Sequence, residues 1–151
     1  MEKMKLTIFN IAEYFLSIVD RESGETITPL KLQKILYYAQ GWYMAYNKKP
    51  LFDEDFEAWE HGPANRELYS IYKKYGYGVI DEPYTKPKFD DEITKFLNRV
   101  WNTYGIYDGK YLEQMTHNET PWKKTVEDKG YNQIITKDLI KSFFISRLNE
   151  Q

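Results

Sequence analysis

The chain has no cysteine. Disulfides and thiolate metal sites are therefore excluded, and the 151 residues must fold by packing alone. That length suits one domain, which buries roughly 70% of the surface its unfolded chain exposes. No apolar run approaches the ~18 residues of a membrane span. The charged start, Met1 to Lys5, leads into an amphipathic segment, not a signal-peptide run with a small-residue cleavage site. We therefore expect one cytoplasmic domain over 1–151, and the glycosylation-like triplet Asn118-Glu119-Thr120 is read as chance. An excess of positive charge is missing too. The formal net charge is −2, which argues against a protein that grips phosphate backbones.

Catalytic signatures are equally absent: the sequence holds no HExxH, phosphate loop, nucleophile elbow or dinucleotide fingerprint. It has two histidines, His61 and His117, each at a predicted helix boundary. They admit a minor reading as an acid–base pair of a small hydrolase, with Glu60 or Glu119 as orienter. They also admit a metal reading, with a carboxylate from Asp53, Glu54 or Asp55. Neither has a recognisable spacing, so we expect no catalytic residue, no metal and no cofactor. The histidines are expected to bond backbone groups at helix ends.

What the chain has in excess is aromatic rings: 14 Tyr, 8 Phe and 4 Trp. Most are expected in the core, including the trio Trp42, Trp59 and Trp122, and some on a binding face. Helical periodicity recurs throughout. Ile8, Ile11, Ala12, Phe15 and Val19 form a first stripe, capped by Thr7. Thr28-Pro29 opens a second helix running to about Tyr46, apolar on most sides and hence central. Gly41 inside it costs about 1 kcal/mol against Ala, which a close helix crossing would justify. Phe56 to Glu60 alternates like a brief strand, and Pro63 is expected to start a third helix. Ile93, Phe96, Leu97, Val100, Trp101 and Tyr104 stripe a fourth, begun near Asp90. Asp108 caps a fifth, Thr120 caps a sixth that Pro121 opens, and Thr136 caps a seventh. The predicted class is all-α, about seven helices around one core, with at most a small two-stranded element near 56–60 and 79–80 or 134–135.

Two charged features stand out. Asp53, Glu54, Asp55, Glu57 and Glu60 crowd one stretch without a basic residue, either a solvated turn or an acidic patch that steers a basic partner. Lys31, Lys34, Lys73 and Lys74 could form a small basic surface, too little for a nucleic-acid reading to lead.

Three segments resemble the GepA/SocA-like family, the Panacea antitoxin domain. The first runs from Thr28 to Gly41 and includes Pro29, Lys31, Gln33, Lys34, Tyr37 and Gln40. The second is Phe56-Glu57-Ala58-Trp59-Glu60-His61-Gly62-Pro63, followed by Leu68-Tyr69. The third is Leu112, then Thr116-His117, then Pro121-Trp122. The resemblance covers about Thr28 to Phe144, with Ala64-Asn65 departing where an aliphatic residue is expected first. It implies a phage-associated antitoxin of type II systems that neutralises a cognate toxin, encoded nearby, by direct contact. One branch of the family implies an alternative, an adaptor delivering the toxin to a Clp-type protease. No catalytic residue carries over. The matched positions are read mainly as fold signature and as possible partner surface, in a protein without membrane or nucleic-acid partners.

Overall fold

The computed structural model describes residues 5–81 and 84–150. Of the charged start only Lys5 lies within them, and Glu82 and Pro83 of the 76–88 loop lie outside. The order is α1 (Ile8–Ile18), α2 (Pro29–Asn47), β1 (Phe56–Trp59), β2 (Gly62–Ala64), α3 (Arg66–Tyr72), α4 (Asp91–Tyr104), α5 (Gly109–His117), α6 (Thr120–Lys129), β3 (Ile134–Ile135) and α7 (Lys137–Asn149). The expected mostly helical class holds.

Side-chain caps set most helix starts. Thr7, Thr28, Asp90, Asp108 and Thr136 each accept a hydrogen bond from the backbone N–H three residues on. Helix α2 is central, with α1, α3, α4, α5 and α7 packed around it. Its Leu32, Ile35, Leu36, Tyr37, Tyr38 and Ala39 are all buried, whereas Tyr46, near the expected helix end, is exposed. Gly41 has the crossing its cost called for. A Cβ there would lie 2.2 Å from Cε2 of Phe144, so α7 meets α2 at a point where only hydrogen fits.

The sheet differs from expectation. It has three antiparallel strands in the order β2-β1-β3, with Glu57 opposite Ala64 and Phe56 opposite Ile135. The 134–135 alternative is thus a strand. The 79–80 alternative is not, although Ile80 is buried and its N–H donates to the Ile27 carbonyl at 2.8 Å. Pro63 does not start α3 but lies in edge strand β2, where a residue without an N–H costs no ladder bond. Asn65 starts the helix instead, its Oδ1 accepting from Leu68 N at 2.8 Å. Likewise Thr120 is not a cap. The N-cap position falls on Glu119, which makes no side-chain cap bond and sends its carboxyl inward.

Candidate functional site: a cleft beside helix α2

Helix α2 buries polar groups that a core helix normally lacks: Gln33, Lys34 and Gln40. Each must find a partner or cost stability. Gln33 accepts from Asn65 N at 2.8 Å and donates to Asn65 O at 3.0 Å, so its amide grips one residue's backbone at both ends. Gln40 does the same one loop earlier, accepting from Leu51 N and donating to Phe52 O, both at 2.8 Å. Lys34 Nζ donates to Pro63 O at 2.9 Å. The polar residues of the Thr28–Gly41 signature are therefore clasps that hold the irregular chain from Leu51 to Asn65 against the helix.

Gly62 completes the clasp. Its φ is +100°, and a Cβ there would stand 2.8 Å from both Lys34 Cε and Thr116 Oγ1. Thr116 donates to Glu113 O at 2.7 Å and so faces this junction from α5. Burial lowers the Lys34 pKa from the usual lysine value to about 7, with the Glu113 carboxylate opposing that shift. Glu113 also meets His61, whose Nδ1 lies 3.2 Å from Oε1, and Lys110, whose Nζ lies 3.6 Å from the same oxygen.

Above this junction lies a cleft of about 290 Å³ between α2, the β1–β2 hairpin and α3. Its walls include Pro29, Leu30, Leu32, Trp59, Leu68, Tyr69, Tyr72 and Tyr77, and Lys34, Lys73, Lys110 and His61 also line it. Trp59 is held from several sides. Its Nε1 donates to Glu57 Oε1 at 2.9 Å, Tyr69 packs edge-on at 5.2 Å, and the Arg66 guanidinium lies 5.2 Å from the ring centre. Arg66 in turn bonds Glu57 at 2.8 Å.

The remaining contacts of α2 are built largely from rings. Tyr38 stacks on Tyr104 at 4.3 Å, Tyr37 packs edge-on to Phe144, and Trp42 Nε1 donates to the Tyr104 hydroxyl at 2.6 Å. Burial raises the Glu119 pKa to about 7, against the opposing hydrogen bond from Tyr38 and the Arg147 charge. Burial raises the Tyr38 hydroxyl too, well above the usual tyrosine range, with Glu119 adding to it.

The two histidines are engaged separately, His61 with Glu113 and His117 stacked on Trp122 at 4.1 Å. Among the described residues, no three His, Asp or Glu side chains are grouped to hold a metal ion. The tryptophans do not share one core. Trp42 belongs to the ring half and Trp59 to the cleft, while Trp122 Nε1 donates to Trp59 O at 2.7 Å. Pro121 is buried beneath the start of α6. The acidic stretch is partly tied to the fold: Glu54 accepts from Ile8 N, Asp55 and the Asp53 carbonyl meet Lys137, and Glu57 holds Arg66, while Asp53, Asp55 and Glu60 are exposed. The expected four-lysine surface does not form, because Lys31 and Lys34 are buried and Lys31 Nζ donates to the Gly105 carbonyl.

Sequence reasoning missed Asn65, Lys110 and Glu113. Asn65 carried a signal, a capping residue type just before an apolar helical repeat. Lys110 and Glu113 carried none, since their place depends on α5 packing beside the hairpin.

The family described as "Antitoxin SocA-like, Panacea domain" matches residues 32–123. The chain is also similar to Antitoxin SocA of Caulobacter vibrioides (strain NA1000 / CB15N), at 29% identity over 119 residues, covering 70% of this chain and 63% of that protein. No solved structure matches. The matched span begins at Leu32 within α2 and runs through the hairpin, α3 and α5, hence it takes in the clasp and all of the cleft lining but Pro29 and Leu30.

Proposed function

Because the chain belongs to the SocA-like, Panacea-domain antitoxin family, we propose that it neutralises a cognate toxin by direct protein–protein contact. The observation that carries this reading is the family match across residues 32–123. The site supports it. An apolar cleft edged by Trp59, Tyr69 and Tyr77 suits the anchoring side chains of a protein partner. No nucleophile–base pair competes for it among the described contacts, and we read the protein as a binder without enzymatic activity. We read residues 1–151 as one domain, acting in the cytoplasm beside its toxin. Among the described residues no helix is long and apolar enough to cross a membrane.

The test is co-expression with the product of the adjacent gene. Growth arrest by that product alone, relieved by this protein, together with a purified complex of the two, is the expected result. Absence of both rescue and complex contradicts the reading. Rescue with shortened toxin half-life, dependent on a Clp-type protease, identifies delivery for proteolysis as the mode of neutralisation.

A further inference from the structure

We propose that the cleft is the toxin-docking site, and that it takes an apolar segment of the toxin with a carboxylate side chain among its hydrophobic residues. The proposal rests on the antitoxin reading above and adds the surface and the chemistry of the partner.

The shape argues for side chains of a protein. A volume of about 290 Å³ accommodates one or two large side chains, at the lower end of ordinary binding pockets. Its rim leaves two large rings in water, Tyr77 at 90% and Tyr69 at 46% exposure. Rings exposed together around an apolar hollow mark a surface that a partner covers.

The charge argues for a carboxylate. The chain carries more acidic than basic residues, 23 against 21. The cleft lining reverses that balance, with Lys73 and Lys110 at its surface, Lys34 buried at its floor and no aspartate or glutamate. The carboxylate that meets Lys110 and His61, Glu113, has its side chain 12% exposed, while those of Lys110 and His61 are 67% and 54% exposed. Glu113 thus holds both groups from beneath and leaves their outer faces for a second acceptor. A carboxylate from the partner at this end completes the site, beside apolar walls that lower the local dielectric and strengthen the pairing. The cations are too few to follow a phosphate backbone.

The test uses the full chain in two arms. In the first, the adjacent gene product is titrated into the wild-type protein, Tyr69→Ala, Lys110→Glu and a remote control, Lys124→Glu on α6. The two cleft variants are expected to weaken binding about tenfold each, and the control to bind as wild type. Unchanged affinity in both cleft variants overturns the docking site while leaving the antitoxin reading intact. Failure of the wild type to bind contradicts the antitoxin reading instead, and the second arm then decides the cleft alone. There, a capped peptide of leucine, tryptophan and glutamate is titrated against the isotope-labelled protein by NMR, beside versions with glutamine or lysine in place of glutamate. Expected are shifts centred on the Trp59 indole and the Gln33 amide, with about fivefold weaker binding for glutamine and weaker still for lysine. Equal binding of all three peptides, or shifts confined to other surfaces, overturns the proposal.

Discussion

The surroundings of helix α2 divide into two halves held by different means. One half, the loop and hairpin from Leu51 to Asn65, is gripped through Gln33, Lys34 and Gln40, each bonded to backbone carbonyls or amides. The other interlocks rings, with Phe144 of α7 pressed onto Gly41 and flanked by Tyr37, Tyr38 and Trp42. Rings close that half over Gly41, while a solvent-open hollow of about 340 Å³ lined by Trp42, Tyr46, Phe96, Arg99 and Tyr104 remains at their edge. Hydrogen-bond clasps fix the hairpin backbone without filling the space above it, so that half keeps the cleft. The same helix thereby supports both.

The difference can be broken most severely in the closed half. Gly41→Leu drives a side chain into Phe144 and should destabilise the fold by about 3 kcal/mol, the upper range for overpacking, read by urea unfolding. An unchanged midpoint would mean that α7 does not close on α2 as described. In the clasped half, Gln33→Leu leaves Asn65 N–H and C=O without their partner and should cost about 2 kcal/mol. A loss under about 0.5 kcal/mol would show that the clasp does not hold the hairpin.

Each half also buries one titratable group, and the two bend the pH–stability curve in opposite directions. Lys34 has a pKa of about 7 in the folded protein against an ordinary 10.5. Between those values the unfolded chain binds more protons, so this group makes stability rise with pH, and Lys34→Met should flatten that limb. Glu119 has a pKa of about 7 against an ordinary 4.5. Between pH 4.5 and 7 the folded state holds the extra proton, so this group makes stability fall as pH rises, and Glu119→Gln should flatten that limb. Each slope is at most ~1.4 kcal/mol per pH unit. Melting temperatures of the three proteins from pH 4.5 to 10 check both signs, and a reversed slope contradicts the burial assigned to that residue. The smallest stability effect belongs to the cleft. Tyr69→Ala should change stability by less than about 0.5 kcal/mol, because the ring is half in water and serves the partner more than the fold. A large loss in the unfolding curve would make Tyr69 a structural residue.

The helices were the more legible in the sequence. The apolar periodicity of α2 and α4, the caps at Thr28 and Asp90, and the demand that Gly41 meet another helix all follow from local rules, and the structure bears them out. The clasped half obeys tertiary rules. Pro63 looked like a helix start because proline favours that position, yet an edge strand tolerates it equally, and only the pairing with Ala58 decides. Lys34 looked like part of a basic surface because nothing in its neighbours announces that Pro63 and Gly62 will cover it. The cleft itself has no linear signature: its lining is drawn from α2, the hairpin, α3 and α5, and its charge is visible only once they meet.

The most direct test of the account is growth rescue by a cleft variant. Cells expressing the adjacent toxin gene are plated with wild-type protein, with the Tyr69→Ala/Lys110→Glu double variant, and with Lys124→Glu, at matched protein levels. The account predicts colonies with the wild type and with Lys124→Glu, and few or none with the double variant. Full rescue by the folded double variant would contradict it.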